Sequence, residues 1–310
     1  MKTPLDRYFQ LTDALRDGKP RPDRQAAAFT AVALVHAKGD VASLAAQTKA
    51  RYEALKLALG SFRAPEGSMR WVYAAMLTAH QVDVAHFIHL REQLRAQNKA
   101  SKTGSLANGG ARAALVLSLG ETDANSIPAF FEMKQALRPP WWRSNVAITD
   151  TYAAAHVLAE TDPQAVIADR LRTEAILGAD KRARHYKRDG ARHAVLLGDA
   201  AEAVLARFKA LEDARREDRF LRGRSDRSMS MEWAASGRTA MDLVKITQIA
   251  QALPKNLESA GYMRVRLATM IGFEAQGDDP VRSASALAAV VAAQAAMIAA
   301  VMVPVTAAAT

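Results

Sequence analysis

Asp162-Pro163-Gln164-Ala165-Val166-Ile167 decides the reading of this chain, because the same arrangement returns along it. An acidic or hydroxylic residue closes an Ala-rich apolar run, and a second amphipathic run starts directly after it. Asp40, Asp83, Asp123, Asp162, Asp199, Thr239 and Asp279 hold this place, at gaps of 43, 40, 39, 37, 40 and 40 residues. Each is a good helix N-cap: a short side-chain oxygen accepts from first-turn N–H groups, and a carboxylate favours the positive helix end. Pro163 and Pro280 follow where a missing N–H costs nothing. Thr239 with Asp242 has the spacing of a capping box. Four residues past the cap come Leu44, Phe87, Ile127, Val166 and Leu243, turned back toward a core, whereas the fifth unit has Ala203 and Val204. Seven such positions at near-constant spacing predict a repeat of helical hairpins.

Working outward, a first helix is predicted over 5–16, followed by a break at Gly18–Asp23. The first helices of the units fall near 25–37, 69–80, 107–119, 148–160, 189–198, 228–236 and 262–275. Their second helices fall near 41–59, 84–97, 124–137, 163–177, 200–217, 240–252 and 281–303. Apolar residues recur at helical spacing within them, as in Val72, Ala75, Met76 and Ala79. Period-two runs of Val, Ile, Thr and aromatics are missing, so the fold class is all-α. The expected architecture is an α-solenoid or superhelix of about seven hairpins with a period near 40 residues. It divides into an N-terminal helix and linker (1–24), a single repeat domain (25–280) and an Ala-rich apolar tail (281–310).

Composition bounds the chemistry. The chain has 310 residues, no cysteine and a net charge of +10. Disulfides, thiolate nucleophiles and Cys-ligated metals are excluded, and a cytoplasmic location is expected. Asp6, Arg7, Asp13, Arg16 and Asp17 argue against a secretory signal at the N-terminus. The positive charge suits nucleic acid, anionic lipid or an acidic protein.

The connections between units carry that charge. They include Ser61-Phe-Arg-Ala-Pro65, Asn98 to Gly104, Arg138 to Asn145, Lys181 to Arg188 and Arg219 to Arg227. In a stack of repeats, equivalent loops line one edge. Arg138, Trp141, Trp142, Arg143, Lys181, Arg182, Arg184, Tyr186, Lys187, Arg188, Arg219, Arg222 and Arg224 are therefore the candidate binding residues. Phe62 and Phe220 add to the aromatics among them. A basic track with interleaved aromatics fits single-stranded nucleic acid, with the concave face as the other candidate surface. Basic residues near helix C-termini also complement the helix dipole, a purely structural reason for the same pattern.

The chain also resembles the bacterial domain-of-unknown-function family numbered four thousand and three. The resemblance rests on the Asp-capped repeats, on Arg227-Ser-Met-Ser-Met-Glu-Trp-Ala-Ala-Ser236, and on Ala289-Val-Val-Ala-Ala-Gln-Ala-Ala-Met-Ile-Ala-Ala300. It implies an all-helical repeat protein and no particular activity.

Enzyme chemistry finds little support. Nucleotide-binding glycine loops, the nucleophile elbow and zinc-protease motifs are missing. No cofactor and no metal are expected; His86, His89 and Glu92, near His80, are the nearest approach to a ligand set. Arg188-Asp-Gly-Ala-Arg-His193 matches the loose Arg-x4-His pattern of a helical ribonuclease family, but Gly190 weakens the helix it would need. From Ser283 to Thr310 the chain is free of charge, with Arg282 on its near side. That tail is read as a packed or dimerising helix, with a membrane anchor as the alternative.

Overall fold

The computed structural model describes residues 3–60, 67–101, 104–137, 146–257 and 263–272, and among these every regular element is helical. The helices are α1 (Pro4–Arg16), α2 (Arg24–Leu34), α3 (Val41–Leu59), α4 (Gly67–Ala79), α5 (Val84–Ser101), α6 (Ala111–Leu117) and α7 (Ser126–Ala136). They continue with α8 (Val146–Leu158), α9 (Pro163–Ala179), α10 (Lys187–Leu197), α11 (Ala201–Glu217), α12 (Arg227–Ala235), α13 (Ala240–Ala252) and α14 (Met263–Gly272). The all-α class is thus observed.

Cap chemistry accounts for most of the starts. Asp40 accepts from the Ser43 N–H at 2.8 Å, Asp83 from Ala85 at 3.0 Å and Asp162 from Ala165 at 2.7 Å. The Asp242 carboxylate accepts from the Thr239 N–H at 2.7 Å. Two expected caps differ. Asp123 builds a turn ahead of α7, accepting from the Asn125 N–H and the Ser126 hydroxyl. Asp199 leaves the N-cap place to Ala200, because its carboxylate is held by Arg207 at 2.7 Å. A guanidinium is a stronger donor to a carboxylate than a backbone amide. Asp279 and the helix predicted over 281–303 lie outside the described residues.

The turns before those caps share a second feature. The N–H of Val82 bonds to the Leu77 carbonyl, Thr161 to His156, Asp199 to Ala194, and Arg238 to Trp233. One residue earlier, Gln81, Glu160, Gly198 and Gly237 have φ of 57°, 50°, 67° and 74°. This is the left-handed Schellman ending, which satisfies the orphan carbonyls of the last helical turn.

Burial separates two kinds of helix. In α6 every residue from Ala111 to Leu117 is buried, and α2, α4 and α8 contain similar unbroken buried runs. Alanine permits this, since its small side chain lets neighbouring backbones approach on several sides. By contrast α3, α5, α7, α11 and α13 bury one stripe and present the other to solvent.

Contacts divide the chain into two compact units, with the divisions falling at Ile167–Ala168 within α9 and Thr269–Met270 within α14. In the first unit α3 packs on α4, α5 on α6 and α7 on α8, while α1, α3, α5 and α7 touch in succession. Tyr52 stacks on Trp71 at 4.0 Å between α3 and α4. In the second unit α11 packs on α10, α12 and α13. Arg207 Nε donates to the Ala234 carbonyl at 2.8 Å, joining α11 to the end of α12. Gly190 serves packing here: a Cβ at that position would stand 2.6 Å from Met231 Sδ and 2.9 Å from Leu177 Cδ1. The motif helix α12 is core on one side, with Met229, Met231, Trp233, Ala234 and Ala235 buried and Trp233 Nε1 donating to Thr269 at 3.0 Å.

Candidate functional site

The described part of the expected basic edge lies in the second unit; Arg138, Trp141, Trp142 and Arg143, together with Phe62, lie outside the described residues. Residues 168–269 hold 21 Lys and Arg against 14 Asp and Glu, so this unit carries +7 of the net charge of +10. The positive excess is therefore local to the unit that bears the candidate loops.

Both loops are fastened to α11. Asp180 organises the first, accepting from the Arg182 and Ala183 N–H groups at 2.8 and 3.1 Å and pairing with Lys209 of α11 at 2.7 Å. The Lys209 hydrogen bond holds the Asp180 pKa below its ordinary value. Arg182 grips Asp213 of α11 with both Nη atoms, at 3.3 and 2.6 Å, and lowers that carboxyl in the same way. Tyr186 packs toward Phe208 of α11, ring centroids 6.3 Å apart. Lys187 lies along the bare face of Gly178, and Arg188 stands 4.0 Å from Glu174. Lys181, Arg184 and Arg188 are left exposed.

The second loop continues directly from α11. Asp218 accepts from the Phe220 and Leu221 N–H groups at 2.7 and 2.9 Å and from the Thr247 hydroxyl at 2.8 Å. Arg224 covers the Phe220 ring at 4.6 Å, and Arg264 lies 5.6 Å from the same ring. Arg219 and Arg222 point into solvent. Tyr186 and Phe220 are half-buried in these contacts, so the described aromatics do not form the stacking platform expected of them. Packing wins because an exposed ring forfeits about 1.5–3 kcal/mol of burial.

A cluster at the C-terminal half of α11 escaped the sequence reading. Glu212 is wholly buried, and its Oε1 accepts from Arg215 Nη2 at 3.0 Å, Arg216 Nε at 2.9 Å and Arg227 Nε at 3.2 Å. Its Oε2 accepts from Arg215 Nε at 3.0 Å and from the Ser230 hydroxyl at 3.2 Å. Burial alone would raise this carboxyl, but Arg215, Ser230 and Arg216 outweigh it and the pKa is lowered. Arg215 is buried and also donates to the Ser225 carbonyl at 3.1 Å. The i, i+3 and i, i+4 spacing of Glu212, Arg215 and Arg216 was a readable signal. The convergence of Arg227 and Ser230 was not.

The rival sites do not assemble. His86 and His89 are exposed on α5, while Glu92 is taken by Arg91 at 3.1 Å and Arg95 at 3.0 Å. Among the described residues no three His, Cys, Asp or Glu side chains are placed to share a metal ion. Arg188 and His193 are five residues apart on α10, about 140° around the helix, and the pair does not converge. Burial, helped by Arg192, pushes the His193 pKa down to about 4.

In the first unit a groove of about 910 Å³ lies between α5 and residues 104–109, lined by Arg95, Asn98, Lys99, Ser105 and Asn108. Behind it, buried Asp150 accepts from the Ala107 N–H at 2.7 Å and pairs with Lys134 at 2.6 Å; Lys134 also donates to the Ser105 carbonyl at 2.6 Å. Burial raises the Asp150 pKa against the pull of Lys134. Glu92 lines the groove and is bonded to Arg95. Among the described residues no helix is long and apolar enough to cross a membrane, and Ser283–Thr310 lie outside them. No family model, curated protein or solved structure matches this chain.

Proposed function

We propose that the protein is a non-enzymatic scaffold, an α-solenoid of about seven helical hairpins with a period near 40 residues, that holds an anionic partner on its basic loops. The surface is formed by residues 181–188 and 219–227, with Arg184, Arg188, Arg219 and Arg222 as the contacting cations. One observation carries this reading: Arg182, Lys209 and the chain itself fasten both loops to the same helix, α11. Cations scattered in sequence are thereby gathered, and Asp180 and Asp213 among them are already paired with Lys209 and Arg182. The recurrent left-handed turns and the succession of like helices support the repeat architecture. The resemblance to the family of unknown function agrees with it and brings no activity; a cytoplasmic protein is the setting we propose.

The test compares a labelled single-stranded RNA, an acidic peptide and anionic vesicles as probes of the full chain. Replacing Arg184, Arg188, Arg219 and Arg222 by Glu should weaken the bound probe by about a hundredfold or more, since each reversal removes an attraction and adds a repulsion. A wild-type protein that binds none of the three, or a variant that binds as tightly as the wild type, would dismiss the reading.

A further inference from the structure

From Asp180 to Arg227 the ion pairs are mostly matched singly. Arg182 takes Asp213, Lys209 takes Asp180, Arg192 takes Asp189, and Arg207 takes Asp199. At Glu212 the ratio changes, because Arg215, Arg216 and Arg227 share one carboxylate. Those four side chains alone sum to a formal charge of +2. Among the neighbouring acids, Asp213 is gripped by Arg182, Asp226 caps α12 through the Met229 N–H at 2.9 Å, and Asp218 holds the 218–221 turn, so none of the three takes a hydrogen bond from Arg216 or Arg227.

The three guanidinium groups are not equivalent. Arg215 is buried, and each of its three nitrogens donates to Glu212 or the Ser225 carbonyl. Arg216 and Arg227 are 47% and 42% exposed, and each gives its Nε to the same oxygen, Oε1. Among the described residues their Nη groups donate to no other acceptor. Sharing one buried oxygen holds two like charges close together, which they would otherwise resist. It also leaves the Nη edges for an incoming oxyanion. Planar guanidinium edges match phosphate oxygens bidentately. A phosphate monoester carries about −1.5 to −2 near pH 7 and has three terminal oxygens, enough to meet both guanidinium edges at once; a phosphodiester or a single carboxylate has only two free oxygens.

We infer that Arg216 and Arg227, mounted on Glu212, form a binding site for a phosphate dianion. The inference deepens the proposed anionic surface, since Arg227 closes the second basic loop, yet the site would also hold free phosphate. Glu212 acts as the positioning residue, and Arg216 with Arg227 contact the ligand.

Thermal unfolding and phosphorus NMR of the full chain with inorganic phosphate test it, against chloride at equal ionic strength. Phosphate should raise Tm and broaden its own resonance with the wild type. Arg216→Lys with Arg227→Lys keeps the net charge but loses the forks, and should weaken phosphate by about tenfold or more. Arg216→Lys alone, at a half-exposed position, serves if the double variant does not fold. A phosphate effect no larger than that of chloride, or one kept in both variants, overturns the site.

A second arm compares one oligonucleotide with a 5′-phosphate or a 5′-hydroxyl. Tighter binding of the phosphorylated form, lost in the Lys variants, assigns the phosphate to a strand end. Equal binding of the two, with free phosphate still bound, assigns the site to the free ion. The Glu substitutions at Arg184, Arg188, Arg219 and Arg222 separate the two claims. Polyanion binding lost with phosphate binding kept leaves this site standing alone; polyanion binding without any phosphate effect removes the site and leaves the scaffold reading.

Discussion

At the scale of single residues, the same type of side chain serves different ends according to what stands nearby. Asp40 and Asp162 cap helices, while Asp199, of the same type and spacing, is diverted to Arg207. His193 illustrates the cost of burial. Its folded pKa of about 4 lies below the ordinary 6.5, so between those values the unfolded chain binds a proton that the folded chain refuses. Its contribution is whole above about pH 6.5 and is lost as pH falls through 4, by at most about 3 kcal/mol. Chemical denaturation between pH 4 and 7 should show a shallower slope for His193→Asn than for the wild type. Identical slopes would mean that the imidazole titrates normally in the fold.

At the scale of elements, the turns joining first and second helices do the organising. Glu160 and Gly198 occupy equivalent left-handed places, but a side chain in that region carries a penalty of about 1 kcal/mol that glycine does not. Glu160→Gly should stabilise by about that amount, and Gly198→Ala should lose as much. The second change meets no atom within 4 Å, so its cost is conformational rather than steric. Urea midpoints moving in opposite directions are expected; two shifts of the same sign would contradict the shared turn. The caps at Asp40, Asp83, Asp162 and Thr239 were legible because each completes its bonds within three residues. The left-handed ending was hidden because Gln81 and Glu160 carry no glycine signature.

At the scale of the whole molecule, charge is unevenly shared, with +7 of the +10 between residues 168 and 269. Binding of single-stranded nucleic acid through Arg184, Arg188, Arg219 and Arg222 should then fall with salt. Four phosphate contacts imply a log–log slope of about −3. A titration from low to moderate salt measures it, and an affinity that ignores salt would speak against phosphate contacts. Net charge was readable at once from the sequence. Which cations remain exposed was not, because Arg182 and Lys209 look no different in sequence from Arg184 and Lys181.

The sequence by itself determined the helical class, the places where most helices begin and the basic character of the connections. Those properties depend on caps, apolar spacing and composition, whose partners lie within a turn or two of the chain. Tertiary structure alone decided that Tyr186 and Phe220 pack inward, that Gly190 makes room for Met231, and that Glu212 gathers Arg227 and Ser230 from 15 and 18 residues away. Such pairings depend on which helix faces touch, and long-range contact leaves no fixed interval in the chain to read.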